Sequence, residues 1–443
     1  MASTYLTRTL GTSTNVYKGT VSHWIKRSGL GSMGTFAAWN NGVSDTNRAY
    51  LNLYNDTIYF YDEANSVVIQ TNRLFRDTSA WYHIVVAWDT SQGTVADRIK
   101  IYVNGVQETS FATANYPSVN STLQFNTSGR TFGLGSYANS GAAAGFFDGS
   151  ISHFNFIDGQ SYDASYFGET DATTGEWKIK TSPSVTYGTN GFFILKDGNT
   201  ITDQSSNSND FTLGGGTLTK TEDNPSNVFA TLNVLDSALG YTGVPINGNL
   251  TLNGSANDRG LRGTLGASSG KYYWEIKMNE KGNIPGVARA DAIITFDANI
   301  TPGYWSIQSS GTGSDMKSYI NGTPDTTNAL QGYADGTIVG IALDMDNGKV
   351  YYSYDGVFKG LNNNTSDPVN QTNPTFTGIP NTFMLPWIEH RSSTANGSQF
   401  NFGNGYFGTT AVSSAGTNAS GNGIFEYDVP TGYTALSTKG LNL

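Results

Sequence analysis

Apolar and polar positions alternate with a period of two in many short stretches of this chain, and no stretch holds a helical stripe for three turns. Val21 to Lys26 alternates in this way. Ala49 to Tyr54 and Thr57 to Tyr61 flank Asn55-Asp56, a two-residue hairpin signal. In Trp81 to Trp88 the alternation places Trp81, His83, Val85 and Ala87 on one face, and Tyr82, Ile84, Val86 and Trp88 on the other. Both faces are largely apolar, which predicts a central strand covered on both sides. Ile99 to Val103 runs into Asn104-Gly105, a second tight-turn signal, and strands are also predicted at 130–135, 149–156 and 191–196.

A second series begins near residue 229. Tyr272, Trp274 and Ile276 share one face of an alternating strand, and 337–344 is a near-continuous apolar run. Asp346-Asn347-Gly348 and Asp355-Gly356 bracket the alternating Lys349 to Tyr354, which predicts a local meander. Between the two series lie Gly214-Gly215-Gly216 and the polar stretch Thr221 to Asn227, with Pro225 biasing its predecessor to extended backbone. The reading is all-β: two antiparallel β-sandwiches of jelly-roll type in tandem, at 1–220 and 237–443, joined by a linker at 221–236. No repeat relates the halves.

Composition narrows the function classes. Aromatic residues make up 13% and charged residues 14%, with 53 Gly, a balance expected of many short strands and turns. The net charge of -10 and the lack of a Lys/Arg cluster argue against nucleic-acid binding. With 0 Cys there is neither a disulfide nor a Cys-ligated zinc, which fits a cytosolic protein or a particle assembled in a cytosol. The apolar runs are too short to span a bilayer and no secretion signal is visible, so no membrane insertion is expected.

No catalytic cluster emerges. A retaining glycosidase needs two carboxylates about 5–5.5 Å apart. The nearest match, Glu169-Thr170-Asp171, has Thr173 where a third carboxylate would stand and falls in a predicted loop. His23, His83, His153 and His390 are dispersed, with no pairing that would seed a metal site or triad. Non-enzymatic binding is the expectation. Candidate binding residues are loop aromatics able to bury one face and keep a polar tip wet: Trp39, Tyr116 and Tyr137 in the first domain, and Tyr304, Trp305 and Trp387 beside Asp315 and Arg391 in the second. Trp24, Trp81, Trp88, Trp274 and Tyr351 read as core.

The motif at 81–86, Ile101 to Gly105 and Phe147 to Ile151 resemble the laminin-G-like branch of the concanavalin A-like sandwiches. Gly270 to Ile276, Val339 to Asp344, Val350 to Gly356 and Phe400 to Gly403 resemble a SPRY domain. The order of the two, with Phe154 to Gln160, Phe167 to Gly175, Phe229 to Asn233 and Pro430 to Leu436, is similar to a group of tailed, marine-type bacteriophage virion proteins. That resemblance implies a tail fibre, appendage or capsid fibre on a virion assembled in the host cytoplasm and exposed on its surface. It implies contacts with other virion proteins, a homo-oligomer (a trimer is common among such fibres) and recognition of a host-surface glycan or protein. A decoration protein with no host contact is the alternative, and a glycan depolymerase a more remote one. The laminin-G-like resemblance also implies a rim calcium ion, with Asp89 and Asp148 as candidate ligands at strand ends; no other cofactor is expected.

Overall fold

The computed structural model describes residues 3–40, 47–196, 201–238, 243–253, 259–280, 282–294, 302–309, 316–330, 332–391 and 397–443. The described residues contain strands, turns and short 3-10 segments, and no α-helix. The chain divides into two compact units, Met1–Lys220 and Thr221–Leu443.

The first unit opens with β1 (Tyr5–Thr9), β2 (Lys18–Arg27), β3 (Met33–Trp39), β4 (Ala49–Tyr54), β5 (Thr57–Asp62) and β6 (Val67–Thr71). Next come β7 (Trp81–Asp89), β8 (Ile99–Val103), β9 (Val106–Gln107), β10 (Phe111–Asn115), β11 (Thr131–Leu134), β12 (Tyr137–Asn139) and β13 (Ala142–Ala144). The last are β14 (Gly149–Asp158), β15 (Gly168–Thr170), β16 (Trp177–Ile179), β17 (Phe192–Ile194) and β18 (Thr212–Gly215). Two sheets face each other, one of eight strands in the order β10-β6-β5-β4-β3-β11-β1-β18 and one of six in the order β17-β14-β2-β7-β8-β9. Between them lie the inward positions of both: Phe36, Phe60, Phe132, Phe154, Phe156, Ile84, Val86 and Trp88. The turns take the form their residues require. Asn55 and Asp56 have φ of 48° and 67°, and Asn104 and Gly105 have 48° and 82°, so both hairpins use the left-handed backbone that Asn, Asp and Gly tolerate.

Strand β7 is buried at every position and lies between β2 and β8. Its outward residues are covered by the 159–190 excursion, where Phe167 and Ala164 pack on Val85 and Ile157, with Tyr162, Trp177, Val185 and Tyr187 around them. Trp177 donates to His83 Nδ1 at 3.0 Å, and Tyr187 donates to Asn155 Oδ1 at 2.8 Å. The outer face of the six-stranded sheet is therefore closed.

The second unit is also a two-sheet sandwich. One seven-stranded sheet runs in the order 232–237, 259–263, 384–390, 284–289, 304–309, 316–320 and 323–330. The facing sheet is built on 357–359, 349–354, 338–344, 271–277 and 399–401. Trp274, Ile276, Ile341, Tyr352 and Phe400 fill the space between, while Tyr273 and Tyr351 are buried on the other face of the same sheet.

The expected linker at 221–236 is not a tether. Phe229, Ala230 and Leu232 are core residues of the second unit, Ala230 N–H donates to Leu436 O at 3.0 Å, and Leu232–Ser237 is a strand. The polar turn residues 221–227 carry the linker-like composition, whereas the apolar residues directly after them are fixed by burial. The glycines at 214–215 end the edge strand β18, where Tyr5 lies flat on them: a Cβ at Gly214 would sit 2.3 Å from its ring. Glu169 likewise belongs to a two-stranded ladder, β15 with β16, rather than to a loop.

Candidate functional site

The closed outer face of one sheet contrasts with the outer face of the other. In the eight-stranded sheet the register sets Tyr50 opposite Tyr61, Asn52 opposite Tyr59 and Tyr54 opposite Thr57. Period-two alternation sends Leu51, Leu53, Ile58 and Phe60 into the core and Tyr50, Tyr54, Tyr59 and Tyr61 outward. The result is a continuous tyrosine face. Ring centroids lie 4.8 Å apart for Tyr50 and Tyr61, 5.3 Å for Tyr54 and Tyr59, 6.0 Å for Tyr59 and Tyr61, and 6.2 Å for Tyr50 and Tyr59. Tyr137, on the β12–β13 hairpin that lies over β3, adds a fifth ring 5.7 Å from Tyr50. Among the described residues no other segment packs over these rings, and Tyr54 is 45% exposed.

The face has a polar frame. Arg48 lies over the Tyr50 ring at 5.9 Å, pairs with Glu63 at 3.2 Å, and donates to Ala138 O and Asn139 Oδ1, each at 3.0 Å. Asn52 is buried among the outward residues, and its Oδ1 has no protein partner among the described residues. The row continues across β6 and β10, with Val68 and Asn115 beyond Tyr61, and Gln70 and Thr113 beyond Tyr59. Partial burial pushes the Tyr50, Tyr59 and Tyr61 phenols up, so each stays a neutral O–H that both donates and accepts. Closely grouped rings, tilted from one another by 22° to 52°, with protonated hydroxyls at their edges suit a ligand that has both C–H faces and hydroxyl groups.

Beyond the β12–β13 hairpin the same sheet face carries a groove of about 500 Å³, lined by Tyr5, Thr7, Arg8, Thr9, Trp39, Thr131, Ala142, Ala143, Asp210, Thr212 and Gly214. Trp39 lies flat on β11 there: a Cβ at Gly133 would be 2.2 Å from its indole.

The residues singled out from sequence fall in several places. Trp39 borders the groove with only its edge accessible, at 2% exposure, and Tyr137 joins the tyrosine face. Tyr116 is half-buried against the core of the first unit. In the second unit, Trp305 is core. Tyr304 and Trp387 pack edge to face at 4.6 Å in a socket formed with Ala288 and Ala292, and Gly260 leaves room for the indole. These three rings are at most 4% exposed and offer no stacking surface in this structure. Arg391 is drawn back onto Glu389 at 2.8 Å, and Asp315 lies outside the described residues. The aromatics expected to form one platform in the second unit therefore do not form one here, because the small residues beneath them draw the rings inward.

Asp89 and Asp148 are not neighbours. Asp89 pairs across β2 with Lys18, whereas Asp148 precedes Gly149, which pairs with Arg27 at the other end of β2. Nine strand residues separate them, about 30 Å, so they cannot share an ion. The Asp89 carboxylate accepts from Ser91 Oγ at 2.5 Å, Gln92 Nε2 at 2.7 Å and Lys18 Nζ at 3.2 Å. Burial pushes its pKa up, but these donors outweigh it and the net shift is downward. Among the described residues no three His, Asp or Glu side chains gather into a metal-binding group. Asp171 pairs with Lys178 at 2.6 Å and Glu169 faces Lys180 at 3.9 Å, so each carboxylate of the glycosidase-like pair faces a lysine rather than its fellow.

Residues 2–164 match the Laminin_G_3 family, described as the concanavalin A-like lectin/glucanases superfamily. No curated protein matches the chain. Among solved structures it is similar to the SPRY domain of human HERC1, at 18% identity over 38% of this chain and 96% of that one, with a TM-score of 0.30. It is similar to the TRIM65 PSpry domain at 14% identity, 39% and 87% coverage, and a TM-score of 0.28. It is also similar to a heptameric SAP-like pentraxin from Limulus polyphemus at 15% identity, 48% and 90% coverage, and a TM-score of 0.31. The architecture is all-β, two antiparallel sandwiches, and the family match places the first of them among the concanavalin A-like folds.

Proposed function

We propose that this protein is a non-enzymatic recognition component of a bacteriophage particle, and that the tyrosine face of its first unit binds a host-surface glycan. The observation that carries the glycan reading is the asymmetry of the sandwich: one outer face is sealed by its own chain, while the other presents Tyr50, Tyr54, Tyr59, Tyr61 and Tyr137 with a polar frame. Buried aromatics need no hydroxyl, but four tyrosines grouped on the outward side, with neutral phenols, supply apolar ring surface for sugar C–H groups and hydroxyls for sugar hydroxyls. The virion placement rests on the sequence resemblance in module order. Many copies on one particle would let weak single-site contacts add by avidity.

The test is a glycan array of bacterial surface polysaccharides probed with the full chain and with a Tyr54→Ala/Tyr59→Ala variant. Retention of the wild type and loss in the variant supports the reading. Equal retention of both, or none of either, contradicts it.

The decoration alternative has its own support in the edge strand β10. Phe111-Ala112-Thr113-Ala114-Asn115 pairs on one side only and carries no charge or proline to discourage pairing with another copy.

A further inference from the structure

We infer that the threonine-lined groove beside the tyrosine face is a second sugar subsite, and that it selects neutral, hydroxyl-rich rings over anionic ones. This rests on the reading that the open sheet face binds glycan, and names the ligand class that face would take.

The groove is built by register. Thr7 lies opposite Thr212 on one side and Gly133 on the other, and Thr9 lies opposite Thr131, which in turn pairs with Trp39. Alternation sends Leu6 and Phe132 inward and sends Thr7, Thr9, Thr131 and Thr212 outward on three adjacent strands, so four hydroxyls share one bed. Thr7 Oγ1 and Thr212 Oγ1 are 3.3 Å apart, a spacing at which one ring could bridge both. Trp39 forms one end over Gly133, Tyr5 the other over Gly214, and the methyls of Ala142 and Ala143 form a wall. A volume of about 500 Å³ falls within the roughly 300–1,000 Å³ common to ligand pockets.

The charge around the groove sets its preference. Arg8 is the cation among its lining residues; its Nη2 donates to Asn209 Oδ1, its Nη1 is buried from solvent without a partner among the described residues, and the Asp203 and Asp210 carboxylates act on its charge. Asp210 is exposed at the rim, and the whole chain carries a net charge of -10. An anionic sugar would meet the Asp203 and Asp210 carboxylates, which offset the charge of Arg8, whereas a neutral one meets hydroxyls that donate and accept. The side chains already point outward in the unliganded protein, so a sugar ring would not need to displace a strand.

The experiment is isothermal titration of the full chain with neutral hexaoses (malto-, cello- and chitohexaose) and with acidic hexaoses (hexaguluronate and hexagalacturonate) at 0.15 M salt. Thr7→Val/Thr212→Val removes two hydroxyls while keeping β-branched shape and strand preference. Ala142→Tyr fills the groove from an exposed wall position and serves as an independent variant. The proposal predicts that a neutral hexaose binds, that the acidic ligands bind at least tenfold more weakly, and that both variants weaken the neutral ligand at least fivefold. Tighter binding of an acidic ligand, binding to neither class, or full affinity in both variants would overturn it. Tyr54→Ala/Tyr59→Ala separates the two readings. If it abolishes binding while the threonine variant does not, the tyrosine face stands and the groove falls. If only the groove variants lose affinity, the groove stands and the tyrosine face is not the ligand surface.

Discussion

Acidification should destabilise the first unit through two buried histidines, by an amount that follows from their surroundings. His83 is sandwiched between Trp24 at 4.7 Å and Trp177 at 6.0 Å. The Trp177 indole can only donate, so His83 Nδ1 accepts and Nε2 carries the proton to Ser22 Oγ at 2.9 Å; the ring is held neutral. His23 packs on Phe154 at 4.9 Å, and neither of its nitrogens has a protein partner among the described residues. Burial lowers each pKa from 6.5 to about 3. At pH 5 the folded rings are neutral, while the unfolded chain is mostly protonated at both. The unfolded state therefore takes up more protons, and stability falls as pH drops from 6.5 toward 3. At pH 5 the unfolded pKa is 1.5 units away, which is about 2 kcal/mol per ring and about 4 kcal/mol for both. Asp62 and Asp148, whose carboxyls burial pushes up, act in the opposite direction in the same window, so the comparison is made against a variant. His23→Leu should lower the pH 7-to-5 loss by about 2 kcal/mol and raise stability at pH 7, because it removes an unpaired buried polar ring. Urea unfolding read by hydrogen exchange of peptides spanning 18–27 and 81–89 reports on this unit alone. An identical pH dependence in wild type and His23→Leu would refute the reasoning.

Other perturbations give equally definite outcomes. Asp56 accepts from Arg27 at 2.9 Å, Arg76 at 2.9 Å and Gly31 N at 2.6 Å, and Arg27 is fully buried. Asp56→Asn should cost about 3 kcal/mol by leaving a buried guanidinium without its anion, seen as a lower melting temperature of the first unit. In the second unit, Glu275 accepts from Glu426 N and Tyr427 N at 2.9 Å each, Tyr273 Oη at 3.2 Å and Asn401 Nδ2 at 3.3 Å. Glu275→Ala should cost about 2–4 kcal/mol, with hydrogen exchange at 424–429 rising first. Burial outweighs these donors and raises Glu275 to about 7, so the folded state takes up the extra proton and this group adds stability as pH falls from 7 toward 4.5, against the opposite contribution of buried His390. Glu275→Gln should remove that contribution, seen in urea titrations as a less favourable pH 7-to-4.5 change than in the wild type. Gly133→Val forces a Cβ into the Trp39 indole and should cost more than about 2 kcal/mol, measured by thermal melting.

The sandwich was legible in the sequence because its strands obey period two and its hairpins carry Asn-Asp, Asn-Gly and Asp-Gly turns. The tyrosine face was legible only in part. Tyr50, Tyr54, Tyr59 and Tyr61 stand at alternate positions around Asn55-Asp56, and a two-residue turn folds such residues onto one face. They stand in strands rather than loops, and a strand tyrosine is as easily core as surface. Which face stays open depended on where the 159–190 excursion packs, and no local pattern encodes that. Tyr304 and Trp387 misled for the complementary reason: the socket that buries them is made by Gly260, Ala288 and Ala292, from strands remote in sequence. The linker reading followed the polar turn 221–227 too far, because Phe229 and Leu232 owe their strand-like order to partners near residue 436 and at 259–263.

The most direct test of the central claim is hydrogen–deuterium exchange of the full chain with and without a saturating oligosaccharide taken from the array. Protection at 49–62 and 137–144, with 159–190 and the second unit unchanged, is the predicted result. Protection confined to 159–190 or to the second unit would contradict it.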